Sequence, residues 1–390
     1  MSTRFGRIVG EENTTAHPAE LEAYSFVKVE KEISPMLVVW PQTTEHVIRI
    51  LRETNPSRAH VLIRGGGTSQ SNEALAQRAI ILSTERMNKP LYLDKANKTI
   101  EVQAGMTIAD LHHLLSDTPF ILPFTAFNPA STVGGLFARD SAARESESVG
   151  TMKDIVEEYE LVDATGKVFH TKRKDVAAGK EGLSGVVTRL KLRLVDKAVL
   201  SIDVWHFQEL TEMLKKITQL KNDKERVFVE FIDKKIASGF GYDPEYTLIV
   251  GYTSLKGAYN ARVEVKEIIG KLDYLHTKHR KKDYYYVLDP TVGLEKSYDL
   301  VRWCEENDTP LHGHAGIGFF YAYFKMGEKE KMDAFRRFMH SVDGKLGENF
   351  GRGVVNYDFL TQEEKKAFIK LKDEYDYNNT LNPGRLISYR

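Results

Sequence analysis

The sequence has almost no cysteine and no long apolar run. Cys304 is the single cysteine among 390 residues, which excludes an internal disulfide and a cysteine-ligated iron–sulfur cluster in this chain. No stretch approaches the roughly 20 apolar residues of a transmembrane helix. Residues 1–15 also lack the apolar core of a signal peptide. We therefore expect a cytoplasmic protein without an integral membrane segment.

The chain also lacks an excess of either charge. Its 55 basic residues balance 55 acidic ones, so the composition provides no broad field that would attract nucleic acid or a membrane surface. With 42% hydrophobic and 28% charged residues, the composition is typical of a globular protein. The length is sufficient for two domains or one large one. Nucleic acid is not an expected partner.

The order of the predicted elements favours two domains. Short strands and helices alternate at first, as in a βαβ unit, and a mixed sheet follows. From about residue 198 onward the pattern favours an antiparallel sheet covered by helices, as in a substrate domain. We predict one domain at 1–197 and a second at 198–390. The elements predicted for the second domain are helices at 209–220, 258–270 and 293–307 and strands at 226–232, 246–252 and 283–288.

A glycine triplet follows the strand predicted at residues 60–63. The stretch "HVLIRGGGTSQS" is neither a Walker loop, since no Lys-Ser/Thr follows, nor the GxGxxG dinucleotide motif. Successive glycine N–H groups can form an anion-binding nest, and the hydroxyls of Thr68, Ser69 and Ser71 add donors. A tight turn between strand and loop explains the triplet equally well. The stretch alone leaves both interpretations open.

Three further segments accompany the triplet. Residues 128–168 contain a second glycine pair and a Gly-Thr, residues 179–194 enter a strand through several glycines, and residues 378–387 read "NNTLNPGRLI". In this order the four segments resemble the flavin-binding family of vanillyl-alcohol oxidase and p-cresol methylhydroxylase. Within that family the likeness is to the branch of glycolate oxidase and D-lactate dehydrogenase flavoproteins. The resemblance runs from about Val38 to Ile387.

The resemblance implies an α+β fold. Two α+β subdomains of the p-cresol methylhydroxylase type would bind FAD, an antiparallel-sheet substrate or cap domain would follow, and a tail near 376–390 would return toward the flavin domain. The "RGGGTS" loop would hold the FAD diphosphate, "TVGG" and the Gly-Thr would line the flavin and ribityl region, and residues 185–187 would border the adenine. The implied FAD-binding residues are Arg64, Gly65, Gly66, Gly67, Thr68, Ser69, Gln70, Thr132, Val133, Gly134, Gly135, Gly150, Thr151, Gly185, Val187 and Asn382.

The mode of flavin attachment follows from one position in the loop. Some relatives attach flavin covalently through a histidine at the end of the "RGGG" loop, and this chain has Thr68 there. The resemblance therefore implies a non-covalent, dissociable FAD.

A second family motif lies in the predicted substrate domain. "PLHGHAGIGFFYAYF", residues 310–324, resembles the HGHxGDGNxH segment that binds a divalent metal in many relatives, with a glutamate from a later Glu-His pair. His312 and His314 match the first two histidines, Tyr321 replaces the third, and Glu348 is the candidate glutamate. Because a zinc-type site needs at least three protein ligands, we expect no metal at His314 and Glu348.

The same motif contains the candidate catalytic residues. Oxidation of an alcohol carbon requires a base for the hydroxyl proton, and His314 is the best candidate, with Tyr321 and Tyr323 as hydrogen-bonding alternatives. The competing interpretation is a histidine whose ring is satisfied by backbone groups in a glycine-rich turn.

The usual cation for a substrate carboxylate is not visible in this sequence. Relatives often carry a lysine or arginine in or after the strand near residues 281–292, where this chain has Val287 and Gly293. Arg139 and Arg144, after "TVGG", could meet a carboxylate or a phosphate, but we expect them to be surface or FAD-facing residues.

Three functions are compatible with these observations. The leading hypothesis is an FAD-dependent oxidoreductase that transfers hydride to flavin N5 from the alcohol carbon of a small hydroxylated substrate, such as the 2-hydroxy acids glycolate or D-lactate. The alternatives are a non-redox flavoenzyme resembling alkylglycerone-phosphate synthase and a scaffolding subunit of a larger flavoprotein complex. The sequence indicates no electron acceptor, and a homo-oligomer and a partner subunit are both compatible with it.

Overall fold

The computed structural model describes residues 2–24, 35–68, 79–126, 128–198, 200–253, 267, 270–271, 284–347 and 357–386. They form two compact units. The first unit comprises the described residues of Met1–Ser141, Thr151–Asp196 and Asn349–Arg390, and the second those of Ala142–Gly150 and Lys197–Glu348. The division into domains at residue 197 stays a prediction.

The first unit is built on two main sheets. One has the order β1-β2-β4-β3, in which β2, β4 and β3 are parallel, and the other is an antiparallel sheet of order β5-β6-β10-β8-β9. A short β11-β7 pair completes the unit. Its strands are β1 Thr14–Thr15, β2 Leu37–Val39, β3 Val61–Arg64, β4 Ile80–Ser83, β5 Pro90–Asp94, β6 Thr99–Gln103, β7 Phe120–Ile121, β8 Val156–Val162, β9 Val168–Thr171, β10 Val186–Arg193 and β11 Val195–Asp196.

The second unit contains one antiparallel sheet of six strands in the order β12-β14-β13-β16-β17-β15. The strands are β12 Ser201–Phe207, β13 Arg226–Ile232, β14 Tyr246–Tyr252, β15 Tyr284–Leu288, β16 Leu311–His314 and β17 Phe319–Lys325. The predicted α+β class with a second, antiparallel sheet is therefore confirmed. The edge strand β12 is missing from the sequence prediction, because most of its residues are at least partly exposed and its apolar alternation is weak.

The helices with described bounds, in chain order, are α1 Ser2–Val9, α2 Pro18–Glu22, α3 Thr44–Thr54, α4 Ile108–Leu114, α5 Val133–Arg139, α6 Ser146–Val149, α7 Met152–Ile155, α8 Lys174–Ala177, α9 Leu210–Leu220, α10 Lys234–Phe240, α11 Ser297–Glu306, α12 Lys329–Ser341 and α13 Gln362–Tyr375. The helices predicted near 209–220 and 293–307 are confirmed as α9 and α11. The helix predicted at 258–270 lies almost wholly outside the described residues. No helix in the described ranges is long and apolar enough to cross a membrane.

Helix α3 shows how the sequence specifies these elements. The Thr43 side chain accepts a hydrogen bond from the N–H of His46, which is the N-cap contact that the sequence predicts. Apolar residues at helical spacing bury one face against the parallel strands, and Pro56 follows the last turn. Strands β2 and β4 are buried along their whole length and almost wholly apolar, as expected of parallel strands covered on both faces.

The C-terminal segment adds to the exposed edge of β3. Leu381 forms a parallel bridge with Val61, whose N–H donates to the Thr380 carbonyl at 2.8 Å. A buried ion pair shapes this segment, since Lys372 Nζ lies 2.7 Å from Asp376 Oδ2 and neither side chain is exposed. Asp376 also accepts hydrogen bonds from the N–H groups of Thr380 and Leu381. The pair therefore fixes the turn that brings residues 380–382 to β3.

Candidate functional site

The glycine loop after β3 packs closely against the segment that begins "TVGG". A Cβ on Gly65 would overlap the hydroxyl oxygen of Thr132, and a Cβ on Gly66 would overlap the carbonyl oxygen of Ala130. Gly67 has a φ of +63°, in the left-handed region that favours glycine. Close contacts within the protein itself therefore already require glycine at these positions.

The same loop leaves donors available for a ligand. Within the part of the chain that the structure describes, no group accepts a hydrogen bond from the N–H of Gly65, Gly66 or Gly67. Gly65 and Gly66 are half-buried, where an N–H without a partner is costly. The Thr68 and Ser131 hydroxyl oxygens lie 2.8 Å apart beside them. Successive glycine N–H groups with adjacent hydroxyls fit an anion such as the diphosphate of FAD.

Arg64 differs from the other loop residues because protein groups hold its guanidinium. Its Nη1 donates to Glu85 Oε1 at 2.8 Å, and the guanidinium lies 4.5 Å from the centre of the Tyr24 ring. Burial opposes ionisation of Glu85, but a hydrogen bond from Ser83 and the Arg64 charge together lower the pKa of its carboxyl. A direct contact between Arg64 and phosphate would compete with these partners.

The "TVGG" segment uses its own N–H groups inside the first unit. Thr132 caps α5 by accepting from the Gly135 N–H at 3.3 Å, and the N–H groups of Val133 and Gly134 donate to the carbonyls of Met106 and Ala104. The structure thus shows these residues supporting the glycine loop. Their predicted contacts with the flavin stay predictions.

The remaining predicted FAD residues occupy separate places. Gly150 belongs to the second unit and ends α6 with a φ of +86°, whereas Thr151 belongs to the first unit and begins α7 with a capping box to Asp154. Gly185 has a φ of +154° and its Cβ position would overlap the Val162 carbonyl, while Val187 is buried in β10. Ser69 and Gln70 lie outside the described residues.

Asn382 has a positioning role that the sequence does not reveal. Its side-chain oxygen accepts from the Ile63 N–H at 2.8 Å, and its amide nitrogen donates to the Glu181 carbonyl at 2.7 Å. The side chain is buried, and its φ is +42°. Asn382 thereby holds the end of β3 directly before the glycine loop.

In the second unit, β13, β16 and β17 bring the candidate catalytic residues together on one face of the sheet. Glu230 is paired in register with His314, and His312 with Tyr321. The Nδ1 of His314 lies 2.7 Å from Glu230 Oε1, and both side chains are largely buried. The Tyr321 hydroxyl lies 3.4 Å from His314 Nε2. The structure thus forms a carboxylate–histidine pair with a phenol beside the second ring nitrogen.

The protonation of this pair follows from its surroundings. Burial alone would raise the pKa of Glu230, but the charge and hydrogen bond of His314, together with the nearby charge of Arg144, lower it to about 2. An ionised carboxylate only accepts hydrogen bonds, so His314 donates its Nδ1–H to Glu230. Its Nε2 is then the nitrogen that can take up a proton.

Sequence reasoning identified His314 and Tyr321 but missed Glu230. The indication in the sequence is a glutamate among the apolar residues of the strand "RVFVEFI". Because a buried charge is costly unless it is paired, such a glutamate indicates a buried partner. The Tyr323 hydroxyl lies 2.6 Å from His312 Nε2, and its predicted part in catalysis stays a prediction. Burial raises the pKa of Tyr323 well above its ordinary value, so its phenol stays protonated and has no phenolate to act as a base.

The prediction of no metal concerns His314 and Glu348. Glu348, the candidate third ligand, lies outside the described residues. Among the residues placed by the structure, no group of three or more His, Cys, Asp or Glu side chains could hold a metal ion. That a metal is not used at His314 and Glu348 stays a prediction.

Comparisons with known proteins agree with this geometry. Residues 35–172 match a family model described as an FAD binding domain. The chain is 25% identical to D-lactate dehydrogenase of Archaeoglobus fulgidus over 94% of this chain and 96% of that protein. It is 28% identical to glycolate oxidase subunit GlcD of Bacillus subtilis, over 49% of this chain and 44% of that protein. FAD as the cofactor is thereby confirmed.

A solved structure of an alkyldihydroxyacetonephosphate synthase has the same fold. The TM-score is 0.74 at 17% identity, over 95% of this chain and 82% of that chain. Together with the match to an FAD binding domain, this likeness confirms the predicted two-subdomain fold with an antiparallel-sheet domain. By itself, it shows the fold alone.

The close contact of the glycine loop yields a first prediction. We expect Gly66→Ala to lower the free energy of unfolding by about 1–3 kcal/mol, because its methyl group would displace a backbone carbonyl. The same variant should retain less FAD after purification. The matched control is Gly239→Ala in α10, where, apart from its chain neighbours and its own helix backbone, no described atom lies within 4 Å of the added Cβ, and alanine favours the helix. Equal flavin content in both variants would contradict the assignment of this loop.

The lowered pKa of Glu230 yields a second prediction. Its carboxyl titrates near 4.5 when unfolded and near 2 when folded, so its contribution to stability is complete above pH 4.5 and is lost as the pH falls toward 2. We expect Glu230→Gln to cost about 3 kcal/mol at pH 6 and less than half as much at pH 3, measured by urea unfolding. Glu306→Gln on the exposed face of α11 should change stability by under about 0.5 kcal/mol. A loss of unfolding free energy in Glu230→Gln that does not vary with pH would contradict the pairing of this carboxylate with His314.

Proposed function

We propose that this chain, which belongs to the FAD-linked oxidase family of vanillyl-alcohol oxidase and p-cresol methylhydroxylase, oxidises the alcohol carbon of a small 2-hydroxy acid to the 2-oxo acid. Glycolate and D-lactate are the first candidate substrates, since the names of two relatives point to them. FAD, when bound, supplies the acceptor for the hydride that leaves the alcohol carbon.

The Glu230–His314 pair is the observation that carries this proposal. As the carbon loses hydride, its hydroxyl must lose a proton, and a histidine ring nitrogen that carries no proton can accept it. His314 donates its Nδ1–H to Glu230, with 2.7 Å between Nδ1 and Oε1, so the free lone pair of the ring is on Nε2. When Nε2 takes up the proton the ring becomes positive, and the Glu230 carboxylate stabilises that charge. The Tyr321 hydroxyl beside Nε2 can orient the substrate hydroxyl.

Two finer points belong to the proposal. We propose that FAD is non-covalent, because Thr68 stands at the position of the attaching histidine and its hydroxyl lies 2.8 Å from that of Ser131. We also propose a cytoplasmic location. The electron acceptor is open, and a partner subunit is one option, since the Bacillus subtilis relative is named as a subunit.

The second candidate is a non-redox flavoenzyme. The structural likeness to alkyldihydroxyacetonephosphate synthase, together with the absence of a cation at Val287 and Gly293, favours it over the scaffolding subunit. Because the structure match shows the fold alone, this function ranks below oxidation.

Visible absorption of the purified chain tests the proposal. We expect an oxidised-flavin spectrum whose chromophore is released by acid precipitation, and anaerobic bleaching by glycolate or by one enantiomer of lactate. A coloured protein that no hydroxy acid reduces would favour the non-redox candidate. A colourless protein that takes up no added FAD would leave the scaffolding role.

The His314 variant tests the assigned base. We expect His314→Gln to retain FAD and to slow anaerobic flavin reduction by about 10²–10⁴-fold, the usual contribution of a general base. The control is His206→Gln in β12 of the same unit, which should reduce at the wild-type rate. If His314→Gln reduces as fast as the wild type, the base is another residue.

A further inference from the structure

A 2-hydroxy acid needs a positive partner for its carboxylate, and the expected positions lack one. Val287, in β15, is a buried aliphatic residue, and Gly293 has no side chain. Two buried guanidinium groups, those of Arg144 and Arg226, lie in the second unit that carries the Glu230–His314 pair. Resting on the function proposed above, we propose that Arg144 binds the substrate carboxylate and thereby selects 2-hydroxy acids over neutral alcohols.

The position of Arg144 relative to the sheet is the first argument. Residues 142–150 belong to the second unit, and α6 within them packs on β13. The Arg144 guanidinium lies 5.8 Å from the centre of the Phe228 ring, and the side chain is 8% exposed. Phe228 and Glu230 are two residues apart on one strand and therefore point to the same face. Arg144 thus lies beside the face that holds His314.

The charge of Arg144 is the second argument. It contributes to the lowered pKa of Glu230, so the guanidinium is close enough to act on the carboxylate–histidine pair. The Glu230 carboxylate receives a hydrogen bond from His314. A guanidinium has five N–H donors in a planar fork, so it can retain protein contacts and still bind a carboxylate with two parallel hydrogen bonds.

The geometry of the substrate distinguishes Arg144 from Arg226. In a 2-hydroxy acid the carboxylate and the reacting hydroxyl are on adjacent carbons, so the cation must lie near the base. On β13, Arg226 lies four residues before Glu230, whereas Arg144 lies over Phe228, two residues before Glu230. Arg226 is also engaged by Glu147, to which its Nη2 donates.

The Arg226–Glu147 pair supports Arg144 in this role. Both side chains are largely buried, and Glu147 lies on α6, directly after the turn that contains Arg144. A Cβ on Gly316 would overlap the Glu147 carboxylate, so the glycine after Ala315 lets α6 approach the turn next to His314. The pair therefore holds residues 142–150 against β13 and the His314 turn. Arg226 and Glu147 are positioning residues, and Arg144 is the residue that contacts substrate.

The test compares variants of the FAD-loaded chain in anaerobic flavin reduction. We expect Arg144→Met to raise the half-saturating concentration of the reducing hydroxy acid by about 100-fold, with little change in the limiting rate, because a charge-assisted pair to the carboxylate is lost. Arg144→Lys keeps the positive charge but lacks the planar fork, so we expect it to raise the half-saturating concentration by about 10-fold. Arg302→Met, an exposed arginine on α11, is the matched control and should behave as the wild type.

A second comparison uses the substrate to locate the contact. The wild type should prefer the hydroxy acid strongly over its uncharged amide, and Arg144→Met should lose most of that preference. Oxalate, a carboxylate that cannot be oxidised in this way, should perturb the flavin spectrum of the wild type and far less that of the variant. FAD content and thermal midpoint, measured in each variant, show that these changes are not losses of folding.

The outcomes separate this inference from the proposed function. If hydroxy acids reduce the wild type and Arg144→Met keeps both its half-saturating concentration and its preference for acid over amide, Arg144 is not the anchor, although the function stands. If Arg144→Met does not fold, Arg144→Lys is used instead. An Arg144→Lys variant with the wild-type half-saturating concentration and wild-type oxalate binding would also show that Arg144 does not bind the substrate carboxylate. If no hydroxy acid reduces the wild type, both the function and the anchor are overturned.

Discussion

The close contact between the glycine loop at 65–67 and residues 130–132 is the constraint on which the cofactor site depends. Side chains at Gly65 or Gly66 would overlap the opposing segment, so the loop can approach it only with a bare backbone. The contact holds the loop while its N–H groups stay available, since no described residue accepts from them. On the other side, Asn382 fixes the end of β3, and the buried Lys372–Asp376 pair shapes the turn that delivers Asn382. The loop is therefore held by two segments that are remote in sequence.

The second unit uses buried acids in two different ways. Glu230 is paired with His314, and the pKa of its carboxyl falls to about 2 despite burial. Asp233, three residues further on, caps α10 and accepts from the N–H groups of Ile236 and Leu311, both at 2.7 Å. Burial, which these two hydrogen bonds only partly offset, raises the pKa of Asp233 to about 7. The two carboxyls are both buried, so their partners account for the opposite pKa shifts: His314 and the charge of Arg144 act on Glu230, whereas backbone N–H groups bind Asp233.

Local patterns in the sequence predicted much of the fold but little of the site. Periodicity and capping residues predicted α3, α9 and β13, because each depends on neighbours within a few positions. The Glu230–His314 contact joins residues 84 positions apart, so no local pattern indicates it. Asn382 and Arg144 were visible as candidate residues, yet their roles depend on Ile63 and Phe228, which only the folded chain brings near. The apolar neighbours of Glu230 along its strand were the one indication in the sequence that this glutamate is buried and paired.

The measurement that tests the central claim most directly is anaerobic flavin reduction by a 2-hydroxy acid that carries deuterium on the hydroxyl-bearing carbon. If the carbon–hydrogen bond breaks as His314 takes the hydroxyl proton, the deuterated acid should reduce the FAD of the wild type more slowly than the protiated acid. Reduction at equal rates would mean that bond cleavage does not limit the step assigned to the Glu230–His314 pair. Failure of both acids to reduce the flavin would contradict oxidation of 2-hydroxy acids altogether.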